Sequence, residues 1–230
     1  MPHLAKRAFL MGINDSPGAQ NDLQECVNAI TNVYDGLVKY FGFASTDIAM
    51  LSDKRATKKA ILEGLKGLKK GVTLEVILDS CHSGTGTREM ILDRTSLRNL
   101  PPALMDEHAP WASSHCIRPR FLAPPPDIAL RADEIFGKTL KLHRIGEDSA
   151  PNYVLWAACR SDRYSADADV GGTLGGAFTY FFCKHIRDTA GKVNRSEMLK
   201  LVRASLKHEG FSQVPQLEGP ENSRKTGIFV

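Results

Sequence analysis

Apolar positions in the first 80 residues recur with two different periods. Ala8–Asn14 (AFLMGIN) is an almost unbroken apolar run ending in Gly-Ile-Asn-Asp, the pattern of a buried strand that gives way to a polar loop. Residues 21–41 then place Leu23, Val27, Ile30, Val33/Tyr34, Leu37 and Tyr40/Phe41 at helical spacing, with Asn21 or Asp22 as the cap. Asp47–Leu51 reads as a short strand. Thr57–Lys69 sets Ile61, Leu62, Leu65 and Leu68 on one helical face, with Thr57 as N-cap and Gly71 as the stop. Thr73–Asp79 (TLEVILD) returns to strand. Strands that alternate with helices of this length predict an α/β fold with mainly parallel pairing and a sheet covered on both faces.

Residues 85–150 break that rhythm. They hold Pro101, Pro102, Pro110, Pro119 and Pro124–Pro126 with balanced charge and few periodic stretches, so they read as a long loop or insertion. Periodicity resumes with a strand at Asn152–Ala158. A Gly-rich loop follows at 171–176, then helices at Ala177–Arg187 and Arg195–Lys207, and closing strand segments at Val214–Leu217 and Gly227–Val230. No internal repeat is visible. The chain is therefore read as one domain in three stretches: 1–84, the insertion 85–150, and 151–230.

Composition narrows the function classes. With 42% apolar and 24% charged residues in 230, a sizeable core is within reach and global disorder is excluded. A net charge of +4 without a dense basic run argues against nucleic acid as a partner. The longest apolar runs, such as Ala8–Ile13 and Val154–Cys159, fall far short of the ~20 residues that span a bilayer, so no membrane partner is expected. Residues 1–12 carry neither a signal-peptide apolar region nor its cleavage pattern. Cys26, Cys81, Cys116, Cys159 and Cys183 are scattered without a C-x-x-C pair, which disfavours both a disulfide framework and a zinc knuckle. The expected compartment is the cytoplasm, and most of these cysteines are expected in the core.

One of them is different. Asp79-Ser80-Cys81-His82-Ser83-Gly84 stands at the end of a strongly apolar strand, and in an open parallel sheet ligands bind beyond the carboxyl ends of the strands. Small residues and glycine there let a substrate backbone approach, and turn N–H groups can face a developing oxyanion. The alternative is that Cys81 merely ends a buried strand.

DSCHSG after an apolar strand resembles the nucleophile motif of the metacaspase and bacterial caspase-like (orthocaspase) branch of caspase-fold cysteine peptidases. The resemblance extends along much of the chain. FLMGINDSPGAQNDLQECVNAI is similar to the family's first strand and helix, YVLWAACRSDRYSADA and GGAFTYFF to its small-subunit-like half, and QVPQLEGP to its last strand. It implies a caspase-like three-layer sandwich, with a mainly parallel central sheet flanked by helices. It also implies a cysteine endopeptidase in which the Cys81 thiolate attacks a peptide carbonyl, forms an acyl-enzyme and is released by water. The Cys81 backbone N–H would contribute to the oxyanion hole. Asp79 matches the acid of the pocket for the side chain before the cut, which takes Arg or Lys, and a carboxylate there selects a cation. Ser80, Asp162 and Asp167 are further candidates for the substrate cleft; Trp156, a cleft candidate too, reads as core or as pocket wall, and protein or peptide substrates with basic residues are the implied partners.

The chain departs from the family pattern at one decisive place. The family's general base is a histidine in a Ser-Gly-His-Gly segment, on a strand before the cysteine strand. No SGHG occurs here, and the only histidine before His82 is His3. The Lys70-Gly71 end of the second helix runs directly into the cysteine strand. His82 neighbours Cys81 and would point to the opposite face of extended chain. His108, His115 and His143 lie in the insertion, and His185 and His208 on predicted helices, so none is assigned as base. Losing a central strand would force the first strand and the cysteine strand to pair or leave backbone groups unpaired. Three accounts follow: a stretch between Gly71 and Val72 that the full protein possesses, a deliberate shortening, or a natural deletion with a dead site. The first is favoured, because both flanks read as family sequence. A smaller departure is that Cys26 is followed by Val27, Asn28 and Ala29, without the family's acid three residues on.

Other motifs carry less. GGTLGG at 171–176 matches neither G-x-G-x-x-G nor a Walker loop and is read as a flexible cleft loop. Position 81 is not glycine, so the hexapeptide is no nucleophile elbow. Asp167-Ala168-Asp169 resembles the start of a calcium loop without its later ligands; no cofactor or metal site is assigned, and calcium activation stays open. The insertion holds seven arginines between Arg88 and Arg144. An Arg-directed enzyme could cut itself there, at Arg120 or Arg131 rather than Arg118, which precedes proline; the plain alternative is that they keep a loop soluble. The second functional reading is a catalytically silent caspase-like module that binds a peptide or partner, and the third is a nucleotide-binding domain.

Overall fold

The computed structural model describes residues 6–15, 23, 26–66, 74–79, 118–119, 153–159, 166–170 and 173–230, with the backbone alone at 65–66, 118–119, 153, 166–170 and 173–174. Strand β1 (Ala8–Gly12) leads to helix α1 (Cys26–Phe41), and β2 (Ile48–Ser52) pairs parallel with β1. Helix α2 (Lys58–Lys66) then precedes β3 (Leu74–Leu78). After the short β4 (Arg118–Pro119) come β5 (Tyr153–Ala157), β6 (Ala166–Val170), β7 (Thr173–Gly176), α3 (Ala177–Thr189), α4 (Arg195–His208), β8 (Gln216–Glu218) and α5 (Glu221–Arg224). β3 pairs parallel with β5, β8 lies antiparallel on the other side of β5, and β4, β6 and β7 form an antiparallel sheet. The expected α/β class is the one observed.

Local chemistry explains the element boundaries. The first helix begins at Cys26, later than the periodicity predicts, and Leu23 is not helical: its N–H donates to Asn14 C=O at 3.0 Å. The expected caps Asn21 and Asp22 lie outside the described residues. Asn14 instead accepts the Cys26 N–H on its side chain at 2.7 Å, while its own N–H donates to Asp53 Oδ1 at 2.7 Å. One asparagine thus ties the end of β1 to the start of α1 and the end of β2. That junction is tight: a Cβ on Gly12 would stand 2.5 Å from the Cys26 carbonyl oxygen, and one on Gly64 of α2 would run into the Phe9 ring. Thr57 caps α2 as predicted, accepting the Ala60 N–H at 3.2 Å. Asn194 and Glu197 form a reciprocal capping box at the start of α4.

Two expectations are corrected. Residues 173–176 of the predicted Gly-rich loop form strand β7, paired with β6. Gly227–Val230 is not a strand; Gly227 makes a single bridge to Asn194 and the rest is turn. Among the described residues no ladder joins β1 to β3.

The core lies between the β3–β5–β8 sheet and helices α3 and α4. Val154, Trp156 and Ala158 from β5 and its end meet Phe178, Phe181, Phe182 and Ile186 of α3 and Met198, Val202 and Leu206 of α4. Trp156 packs edge-on to Phe182 at 5.2 Å, and truncating such a ring costs ~3–5 kcal/mol. Helix α1 contacts β1, β7 and α3, joining the two halves. Within this core stands one ion pair. Arg195 Nη2 donates to Glu75 Oε2 at 2.8 Å and Nε to Oε1 at 3.0 Å, with both side chains buried. Glu75 also accepts the Trp156 indole N–H at 2.7 Å and the Phe229 N–H at 2.8 Å.

His185 occupies the seam between α3 and α4. Its Nε2 is 2.9 Å from Ser205 Oγ, the ring contacts the Leu201 backbone, and Asp188 Oδ2 lies 3.9 Å from Nδ1. Burial, reinforced by the Lys184 ammonium, pushes its pKa below the ordinary 6.5. The unfolded chain therefore binds this proton first. The stability that neutral His185 contributes is complete above pH 6.5 and declines as pH falls toward the depressed folded value. Urea midpoints should accordingly drop from pH 7.5 to pH 5.5, by less in His185→Gln. Removing one partner of the core ion pair, as in Arg195→Met, is expected to cost about 3–5 kcal/mol in urea unfolding, and the double variant Glu75→Leu/Arg195→Met less than the sum of the singles.

Candidate active site

Asp79 is the first residue beyond β3, half-buried at the carboxyl end of the strand. The Ala158 N–H donates to Leu78 C=O at 2.9 Å, so β3 and β5 end side by side. This is the sheet edge at which α/β folds bind ligands. Helix α3 begins against it. Its N-cap is Gly176, which has no side chain to offer, so the first-turn N–H groups need an acceptor from elsewhere. Asp79 provides it: Oδ2 accepts the Thr179 hydroxyl at 2.7 Å and the Thr179 N–H at 3.3 Å. Negative charge at a helix N-terminus is worth ~0.3–1 kcal/mol, and up to ~2 kcal/mol when partly buried.

The β6–β7 hairpin converges on the same place. β7 runs directly into α3, and the register sets Asp167 opposite Gly176. The backbone at Asp167 therefore lies beside the helix end that holds Asp79. The segment Ala166–Val170 is a strand, which also removes the calcium-loop reading of 167–169. Among the described residues no group of three or more metal-ligating side chains occurs. Ser80, Cys81 and Asp162 lie outside the described residues, as do His82, His108, His115 and His143.

Of the two readings of Trp156, pocket wall and core, the structure supports the core. It is 0% exposed and spends its indole N–H on Glu75. Cys26, Cys159 and Cys183 are buried, as expected of core cysteines. Burial pushes the Cys183 thiol up to about 12, so it offers no thiolate near neutral pH. His185 is committed to the α3–α4 seam and His208 is exposed, beside Glu209.

Three residues that organise this region escaped the sequence reading. A signal for Glu75 was present, since a carboxylate in the middle of an apolar strand must find a partner on burial. Arg195 and Thr179 had no comparable signal; each looks like an ordinary helix residue.

An α/β domain with an acid at the carboxyl end of an apolar strand, held at a helix N-terminus two residues before a cysteine, is the arrangement expected of the caspase-like class. The Caspase domain family model matches residues 56–226, well over half of the chain, and the chain belongs to that family. It is 36% identical to metacaspase-7 of Arabidopsis thaliana over 129 residues, covering 54% of this chain and 29% of that protein. It is 31% identical to metacaspase-8 of the same plant over 121 residues, covering 50% and 29%. The chain thus matches well under half the length of these relatives. Metacaspase-9 of Arabidopsis thaliana is 22% identical over 300 aligned positions, covering 91% of this chain and 92% of the relative. That alignment is longer than the chain itself, so it includes stretches of metacaspase-9 with no counterpart here. Protein GSU0716 from Geobacter sulfurreducens, a crystal structure, has a TM-score of 0.59 at 16% identity over 97% of both chains, which shows the fold. No helix of the described residues is long and apolar enough to cross a membrane.

Proposed function

We propose that this chain is a cysteine endopeptidase that cuts after Arg or Lys, with Cys81 as nucleophile and Asp79 as the acid that selects the basic side chain. The observation that carries the reading is the Asp79 carboxylate, held at the carboxyl edge of parallel strands two residues before Cys81 in a chain of the caspase-domain family. A fixed carboxylate in a half-buried site pairs well with guanidinium or ammonium and repels an acidic side chain. The Cys81 thiolate would attack the carbonyl carbon of that residue, and its own backbone N–H would stabilise the oxyanion. A proton must reach the leaving amine as the C–N bond breaks, and water then hydrolyses the thioester. Ser80, Asp162 and Asp167 are the further residues proposed to line the cleft.

The proton carrier is the missing part. The family's SGHG histidine is absent, and the junction at Gly71–Val72 is the place where that segment would enter. The metacaspase-9 alignment, longer than this chain, supports a lost internal stretch. The intact mass of the natural protein is expected to exceed 25.3 kDa; a matching mass overturns that account.

Peptides ending in Arg or Lys before the scissile bond should be cleaved and Asp-ending ones spared, with Cys81→Ala abolishing turnover. Equal or better cleavage of Asp-ending peptides refutes the specificity. The same variant tests self-cleavage within 85–150: gel fragments ending at Arg120 or Arg131 should vanish in Cys81→Ala.

A further inference from the structure

We infer that Thr179 is a positioning residue for the proposed site, through which the N-terminus of α3 sets where the Asp79 carboxylate stands. The inference rests on the peptidase reading above and adds to it a residue outside the DSCHSG motif.

Three observations carry it. Thr179 gives both its hydroxyl and its backbone N–H to the same oxygen, Asp79 Oδ2, at 2.7 and 3.3 Å. Two donors from one residue hold that oxygen in place. Second, the donor itself cannot wander. Thr179 is 7% exposed and flanked by the fully packed Ala177, Phe178, Phe181 and Phe182, so its place is set by the core rather than by solvent. Third, α3 has no cap of its own at Gly176, so the bond serves helix and acid together. Preorganising a charged group in this way removes the cost of ordering it when a cation arrives.

A plain capping role and a positioning role predict different things. If Asp79 only caps α3, losing the Thr179 hydroxyl lowers the melting temperature and leaves Cys81 chemistry unbiased. If Thr179 also positions Asp79, the preference for basic groups falls as the carboxylate loses a donor that orients it.

The test compares wild type, Thr179→Val and Thr179→Ser, the first removing the hydroxyl with little change of shape and the second keeping it. Alkylation of Cys81 is followed by mass spectrometry with a peptidyl-arginine chloromethyl ketone and with iodoacetamide, and the ratio of the two rates is the readout. In wild type the arginine reagent should be favoured. Thr179→Val should lower that ratio about tenfold, the scale of losing a hydrogen bond to a charged group. Thr179→Ser should restore it. A ratio unchanged in Thr179→Val overturns the inference while leaving the peptidase reading intact. No arginine preference in wild type overturns the specificity reading, and this inference with it. Should Thr179→Val not fold, Thr179→Ala is measured in its place.

Discussion

The fold depends on satisfying one carboxylate in a place where water cannot reach it. Glu75 lies in an otherwise apolar strand and faces the core, and its two oxygens accept from four donors: Arg195 Nε and Nη2, the Trp156 indole and the Phe229 N–H. Arg195 is equally committed, giving Nη1 to Ser223 C=O and to the Thr226 hydroxyl. Desolvating two ions is compensated only by geometry this complete. The pair fixes β3, β5, α4 and the C-terminal turn to one another. A strand slipped by one residue would turn Glu75 to the opposite face, so the register of β3 is specified by charge as well as by hydrophobic pattern.

Register is what the site needs. In a strand, residues 75, 77 and 79 share a face. Glu75 meets Arg195 of α4, Ile77 packs against the core, and Asp79 meets Thr179 of α3. One edge of the helical layer therefore reads β3 at three successive positions. The two acids are handled differently because their places differ. Glu75, deep in the sheet, requires a full counter-charge. Asp79, at the open edge, accepts from the Thr179 hydroxyl and from the N-terminus of α3, which orient it.

How much of this was legible in the sequence follows the range of the interactions. Elements governed by local pattern, such as β1, α2 with its Thr57 cap and α4 with its Asn194–Glu197 box, stand close to where the chain predicts them. The start of α1 does not, because its acceptor is Asn14, twelve residues away, rather than a side chain beside the helix. The glycines of 171–176 suggest a loop, yet Val170 pairs with Thr173. Gly171-Gly172 between paired residues is a hairpin spacing, a signal outweighed by the low strand propensity of glycine. Asp79 was legible as an acid beside the nucleophile motif. Its partner was not, because Thr179 is a hundred residues on and reaches Asp79 only through the fold.

The acid that would choose the substrate also sets a condition on the nucleophile. A carboxylate near a thiol raises the energy of the thiolate, and its charge is already felt by the buried Cys183, which it helps to push up. Cys81 is two residues from the same carboxylate, so a reactive thiolate there needs compensating positive potential. Part comes from the end of α3, since the donors that orient Asp79 also place its charge against the helix dipole. One helix terminus amounts to about half an elementary charge, less than the full charge of the acid. A cation beside the thiol would add to it, and an imidazolium is the group caspase-like peptidases place there. For the proposed site, the electrostatics of Asp79 and the break in the family pattern at Gly71–Val72 point the same way, to the SGHG histidine of the family that this sequence does not carry.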